Sequence, residues 1–176
     1  MSFFEFTKAY PEGSSSASRM AYTARHLGYA GIIISSRDPE RIFMPQAAES
    51  IRGIDVTFGA EAHSSSPRAL KSRIGSLRSR YNLIIVRGES DEIIRMASED
   101  PNVDLLIHPC EPRRTMTIAT ARQVRQNQIS IAFDLRPMIH LRAGPRARWL
   151  EALRRNLQLV RKFDISPAIT AGAVSH

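Results

Sequence analysis

Seven short apolar runs punctuate this chain, beginning near residues 2, 31, 54, 83, 103, 129 and 167, and their spacing constrains the fold more than any other feature. Most gaps are about 20 to 30 residues, room for one amphipathic helix and two turns in each repeat. Short strands alternating with helices make βα units, and βα units make parallel strands. Seven of them without a glycine-rich dinucleotide fingerprint point to a TIM-type (βα) barrel rather than a doubly wound sheet. The expected fold class is therefore α/β, a single barrel-like domain over residues 1–176. The chain stops about six residues after the seventh run without a final helix, so the barrel is expected to be short at its C-terminus.

The expected strands are Ser2–Phe6, Gly31–Ser35, Ile54–Ala60, Leu83–Val86, Val103–Ile107, Ile129–Leu135 and Pro167–Thr170. Between them, Ser16 or Ser18 caps a helix through Leu27, with Gly28 near its end. Asp38 and Pro39 open a helix toward Ile51, and Pro67 opens one with Leu70, Ile74, Leu77 and Tyr81 inward. Ser90 caps a helix through Ser98, and Thr115–Gln126 is the next. The most informative stretch runs from Ile129 to Phe163. There Ile129, Ile131, Phe133 and Leu135 alternate along one strand face, and Pro137 ends the strand near Arg136. A loop from Met138 to Gly144 carries His140 and Arg142. Pro145 then begins a helix with an inner stripe of Trp149, Leu153, Leu157 and Val160.

Charge narrows the function. The formal net charge is +8 and the pI is near 10.5, carried by 22 arginines and only three lysines. Arginine grips phosphate through a planar fork, so a polyanionic partner is expected. The charges are segregated as well. Residues 62–88 hold no acid but include Arg68, Lys71, Arg73, Arg78, Arg80 and Arg87, and residues 112–133 hold Arg113, Arg114, Arg122 and Arg125 without one. Acids concentrate between them, from Glu89 to Asp104. Aromatic residues make up only 7% of the chain, so shape and backbone contacts to a folded RNA fit better than base stacking. A single cysteine, Cys110, excludes an internal disulfide and a multi-cysteine zinc site. No run reaches the roughly 20 apolar residues of a membrane span, and a cytoplasmic protein is expected.

Parallel strands bring the residues after their C-terminal ends to one rim. Candidates there are Glu61, His63, Arg87, His108, Asp134, Arg136, His140 and His176. Histidines with acids suggest a metal centre or acid–base chemistry, but the HxH or HxxxH pair that would sharpen a metal reading is absent. Asp134 and Arg136 share a face and are expected to neutralise each other.

The strand ending FDLRPMI, the arginine-bearing loop, the helix RWLEALRRNLQLVRKF and the closing ITAGAVSH together resemble the archaeal ribonuclease P protein component 3 family, homologous to a nuclear ribonuclease P/MRP subunit. Asp134, Arg136 and Pro137 match that family's sixth-strand motif, and Arg146 and Arg148 fall at its post-strand helix start. The resemblance implies a protein subunit that supports RNA-catalysed removal of the 5′ leader from precursor tRNA. Its implied partners are the ribonuclease P RNA and protein component 2 among other subunits, with precursor tRNA as substrate of the whole. It implies no catalytic side chain, no metal ligand and no cofactor on this chain, with magnesium accompanying the RNA. The expected RNA contacts are Arg68, Lys71, Arg73, Arg87, Arg113, Arg114, Arg136, Arg142, Arg146 and Arg148.

That family is also similar to the PHP-type metal-dependent phosphoesterases, which supply the alternative function. Glu61, His108 and His176 resemble three of their site positions, but Phe3-Phe4-Glu5-Phe6 lacks the first-strand HxH pair and Gly172-Ala173-Val174 lacks an aspartate. A third reading is a structural barrel that docks another protein through its acidic helix, Ser90 to Asp100.

Overall fold

A computed structural model describes residues 4–40 and 52–175. It has seven strands: β1 (Phe4–Thr7), β2 (Gly31–Ser36), β3 (Asp55–Ala62), β4 (Ile84–Arg87), β5 (Leu105–His108), β6 (Ser130–Asp134) and β7 (Pro167–Thr170). Among the described residues six helices lie between them: α1 (Ala17–His26), α2 (Pro67–Arg78), α3 (Asp91–Glu99), α4 (Ile118–Gln126), α5 (Arg136–His140) and α6 (Ala143–Lys162). Strand order follows chain order, β1-β2-β3-β4-β5-β6-β7, the order of a TIM-type barrel. The helix expected between Pro39 and Ile51 lies mostly outside the described residues, as does His176.

The chain forms two compact units, residues 1–61 with 170–176, and residues 62–169. In the first, β1, β2 and β3 pair in parallel, from Phe4↔Gly31 to Thr7↔Ile34 and from Gly31↔Asp55 to Ser36↔Ala60. Helix α1 covers them with Met20, Ala21 and Ala24, packed against Ile32 and Ile34. Ser16 caps α1 by accepting from the Arg19 N–H, and Gly28 follows the helix at φ 85°, the left-handed geometry that glycine adopts without a Cβ penalty. The last residues return beside β1. There Thr7 bridges Ala173 in parallel, and Thr170 Oγ1 lies 2.6 Å from Glu5 Oε1.

In the second unit β4 pairs with β5 and β5 with β6, His108 facing Phe133 at the end of the ladder. Ile84, Ile85 and Val86 are fully buried in succession, the mark of a parallel strand covered on both faces. Burying each such side chain contributes about 1.5–3 kcal/mol. Leu70, Ile74 and Leu77 of α2, Ile93 and Ile94 of α3, and Ala121 and Val124 of α4 form the apolar cover.

Three local expectations are corrected. The segment after β6 is not a loop, because Pro137 sits in the first turn of the short helix α5 and Arg136 is that helix's first residue rather than a strand residue. Helix α4 starts at Ile118 rather than Thr115, because Thr117 supplies the cap by accepting from the Thr120 N–H. The inner face of α6 is Trp149, Ala152, Asn156 and Val160, whereas Leu153 and Leu157 are only half-buried.

Candidate nucleic-acid interface

Formal charge divides between the two units. The first carries six Lys/Arg against seven Asp/Glu, and the second nineteen against ten, so the entire excess of positive charge belongs to the second, at +9. Among the expected contacts, Arg68, Lys71 and Arg73 are exposed on α2, Arg113 on the loop between β5 and α4, and Arg146 and Arg148 on the first turns of α6. Five of these, Arg68, Lys71, Arg113, Arg146 and Arg148, have no hydrogen-bond or ion-pair partner for the side chain among the described residues. Arg142 precedes α6 and donates from its guanidinium to the Ile139 carbonyl at 2.7 Å, pinning the end of α5. Arg78, from the same basic stretch as Arg68, serves structure. Its guanidinium reaches Asp104 at 2.7 Å and the carbonyls of Asn82 and Asn102.

Arg87, Arg114 and Arg136 form a second group, set at the C-terminal ends of β4, β5 and β6. Asp134 Oδ2 lies 3.0 Å from the Arg136 guanidinium and 3.4 Å from that of Arg87, and Asp134 Oδ1 accepts the Arg136 N–H at 2.9 Å. Arg114 donates to the Glu89 carbonyl at 2.8 Å and sits 3.4 Å from Glu111. These three cations therefore face partners within the chain, and the neutralisation expected for Asp134 and Arg136 is present. Arg87, Arg114 and Asp134 line a pocket of about 330 Å³ together with Gly88, His108, Pro109 and Pro137. Gly88 has to be glycine here, since a Cβ would stand 2.6 Å from Ile94 Cγ1.

Behind that pocket lies a polar cluster that the sequence reading missed. Asn156, fully buried on α6, accepts the Met116 N–H at 2.8 Å. Its amide nitrogen faces His108 Nδ1 at 3.2 Å and Cys110 Sγ at 3.4 Å. Cys110 N–H also donates to His108 Nδ1 at 3.3 Å. Because a backbone N–H can only donate, Nδ1 is the accepting nitrogen and Nε2 carries the hydrogen. Burial, reinforced by Arg114 and opposed by Asp91, pushes the His108 imidazole down to about 4. Burial likewise pushes the Cys110 thiol up to about 11, against the hydrogen bond from Asn156, so it stays protonated and inert at neutral pH.

A lowered histidine value has a definite sign. Between the ordinary value of 6.5 and about 4, the unfolded chain takes up a proton that the folded chain refuses. Stability is therefore unaffected by this group above pH 6.5 and falls as pH drops through that window. At about 1.4 kcal/mol per tenfold difference in proton affinity, the loss by pH 4.5 is about 2–3 kcal/mol. Urea unfolding from pH 7.5 to 4.5 should show it, with a shallower pH dependence in His108→Gln. Equal pH dependence in both proteins would contradict the assignment.

The first unit has its own charged cluster, at the ends of β1, β2 and β3. The Glu61 carboxylate, buried to 1% exposure, holds Lys8 Nζ at 2.9 Å on one oxygen and Arg37 Nε at 3.0 Å on the other. Lys8 also reaches Glu12 at 2.7 Å, and Glu12 accepts from Ser36 Oγ and the Arg37 N–H. Burial opposes ionisation of Glu12, but the bonds from Lys8, Ser36 and Arg37 outweigh it and hold its carboxyl below the usual range. The metal-dependent alternative needs Glu61 and His108 as ligands, and neither suits a metal. Glu61 is matched by two of the chain's own cations, and the His108 nitrogen with a lone pair is already taken. Among the described residues no three His, Cys, Asp or Glu side chains gather where they could hold an ion.

Fold and site together define a class: a TIM-type β/α protein whose strand-end charges are closed internally and whose excess charge is exposed arginine and lysine in one unit. Among the described residues no helix is long and apolar enough to cross a membrane. The family model described as RNase P subunit p30 matches residues 2–176, and the chain belongs to that family. It is 33% identical over 175 residues to ribonuclease P protein component 3 of Methanosarcina barkeri, covering 98% of this chain and 73% of that protein. The corresponding Haloarcula marismortui protein is 28% identical over 174 residues, covering 98% and 74%. Among solved structures, a chain of an archaeal ribonuclease P seen by cryo-electron microscopy with mature tRNA superposes with a TM-score of 0.78 at 20% identity, covering 97% of this chain and 74% of that one. Histidinol phosphate phosphatase from Lactococcus lactis, complexed with zinc, L-histidinol and phosphate, shares the fold at a TM-score of 0.60 and 10% identity, over 98% and 87%.

Proposed function

We propose that this chain acts as a protein subunit of ribonuclease P, supporting RNA-catalysed removal of the 5′ leader from precursor tRNA without contributing a catalytic side chain. Family membership supplies the class. The observation that carries the role is the +9 charge of the second unit, in which Arg68, Lys71, Arg113, Arg146 and Arg148 are exposed and have no partner among the described residues. Arg68, Lys71 and Arg73 on α2, Arg113 before α4, and Arg146 and Arg148 on α6 are the side chains proposed to meet phosphates of the RNA. Such contacts lower repulsion between strands and favour the compact, active RNA, and magnesium enters with the RNA rather than through this chain. Arg87, Arg114, Arg136 and Arg142 act mainly by shaping the surface, since each is held by an internal acceptor. Protein component 2 is the proposed protein partner, and the working place of the assembly is the cytoplasm.

Reconstitution tests this. With the RNA and component 2 at limiting magnesium, adding the chain should raise cleavage of precursor tRNA, and unchanged cleavage would refute the assignment. Each phosphate contact contributes about 0.7–0.9 to the slope of log affinity against log salt. Changing Arg68, Lys71, Arg146 and Arg148 together to glutamine should therefore reduce that slope by about 3. These side chains are exposed and unpartnered, so the unfolding midpoint should hardly move.

A further inference from the structure

We propose that the pocket at the ends of β4, β5 and β6 is a recognition site for a single unstacked guanine base. Its lining holds three carboxylates, Glu89, Glu111 and Asp134, and two guanidiniums, Arg87 and Arg114, while Arg136 stands outside the lining against Asp134, so the fixed charges nearly cancel. That balance does not attract a bare phosphate. It suits a neutral group presenting donors on one edge and acceptors on another. At about 330 Å³ the cavity has room for one nucleoside.

The turn from Glu111 to Arg114 supplies the matching edges. Its backbone is closed by an antiparallel bridge and by the Arg114 N–H donating to the Glu111 carbonyl at 2.9 Å. The Arg114 guanidinium is fixed by the Glu89 carbonyl, and the half-exposed Glu111 carboxylate stands beside it at 3.4 Å. Acceptor and donor are thus held side by side. His108 lines this pocket and a second one beside α3 and α4, and its buried Nε2–H, on a residue only 2% exposed, has no hydrogen-bond partner. Pro109 and Pro137 give flat apolar flanks.

Guanine fits these groups best. Its N1–H and N2–H are adjacent donors that meet both oxygens of one carboxylate. Its O6 and N7 are adjacent acceptors suited to a guanidinium or to an imidazole N–H. Adenine and cytosine each set a ring acceptor beside their donor, against the second carboxylate oxygen, and uracil flanks its one donor with two carbonyls. The base can arrive within RNA, splayed out of its stack, or as a free nucleotide. The first source rests on the RNA-binding reading above, and the second does not.

Titrating the full chain with the 5′-monophosphates of guanosine, inosine, adenosine, cytidine and uridine tests the site itself. Guanosine monophosphate should bind about tenfold or more tightly than adenosine monophosphate, at the lower end of what a bidentate pair gives. Inosine monophosphate, lacking the N2 amino group, should fall between them. Glu111→Gln, a half-exposed position that leaves the fold intact, should cut the preference to about threefold or less. No binding, equal binding of all five, or displacement by inorganic phosphate would overturn the proposal. A second arm uses 6-thioguanosine-substituted ribonuclease P RNA, with crosslinks expected at residues 108–114 and lost on adding guanosine monophosphate. Nucleotide binding without such crosslinks assigns the site to free nucleotide and supports it. Salt-dependent RNA binding without guanine preference sinks the pocket and leaves the RNA role standing.

Discussion

Lys8→Met is expected to destabilise the first unit by about 3–5 kcal/mol, the scale on which a buried ion pair loses one member. The Lys8 side chain is 13% exposed and its ammonium touches two carboxylates, Glu61 at 2.9 Å and Glu12 at 2.7 Å. Methionine keeps the stem's volume and removes the charge. Glu61, at 1% exposure, would then lose the less exposed of the two cations on its oxygens and keep Arg37, whose own side chain is 41% exposed. The loss comes from an uncompensated charge rather than from a missing attraction, so a second change should reverse much of it. Lys8→Met combined with Glu61→Leu replaces the pair by apolar groups and should recover a large part of the stability. Urea midpoints of the parent, the two single variants and the double variant would settle this. Additive losses in the double variant would show that Lys8 and Glu61 are not coupled as the 2.9 Å contact requires.

The second large effect is at Asn156. Replacing it with leucine keeps the shape and strands the buried Met116 N–H, and it takes one of two donors away from His108 Nδ1. At about 1–3 kcal/mol for each buried group left unsatisfied, the total should be about 3 kcal/mol. Asn156→Asp separates the contributions. It keeps the acceptor for Met116 and puts a carboxylate 3.2 Å from His108 Nδ1, where an imidazolium would be welcome. Its stability should therefore hold up better than the parent's as pH falls below 6.5. If leucine at this position leaves the midpoint unchanged, the cluster is not holding α6 against β5.

The strands were legible because burial on both faces writes itself as a dense apolar run, as in Ile84-Ile85-Val86. Helix starts were legible where a serine does the capping, as Ser16 and Ser90 do. Asn156 was not, because an asparagine among arginines and leucines looks like a surface residue. Only its spacing from Trp149, Ala152 and Val160 betrays the inner face, and leucine at 153 and 157 offered a more apolar rival. Helix α5 was hidden by Pro137, which ends strands and starts helices with equal ease. The cluster of Lys8, Glu12, Arg37 and Glu61 was illegible for a different reason. Its members come from three separate stretches of the chain, Lys8 with Glu12, Arg37, and Glu61, and nothing local joins those stretches before the strands are laid side by side. For the arginines, sequence located the charge but not its employment. Arg78 and Arg136 look like Arg68 until their acceptors are known.

The confinement of surplus charge to residues 62–169 has a consequence for the isolated protein. Nineteen cations against ten anions repel one another whenever no polyanion is there to absorb them. Added electrolyte shields that repulsion while it loosens the grip on nucleic acid. The same titration should thus firm up the chain alone and dissolve its complex, and the most thermally robust preparation would be the one least able to hold its RNA.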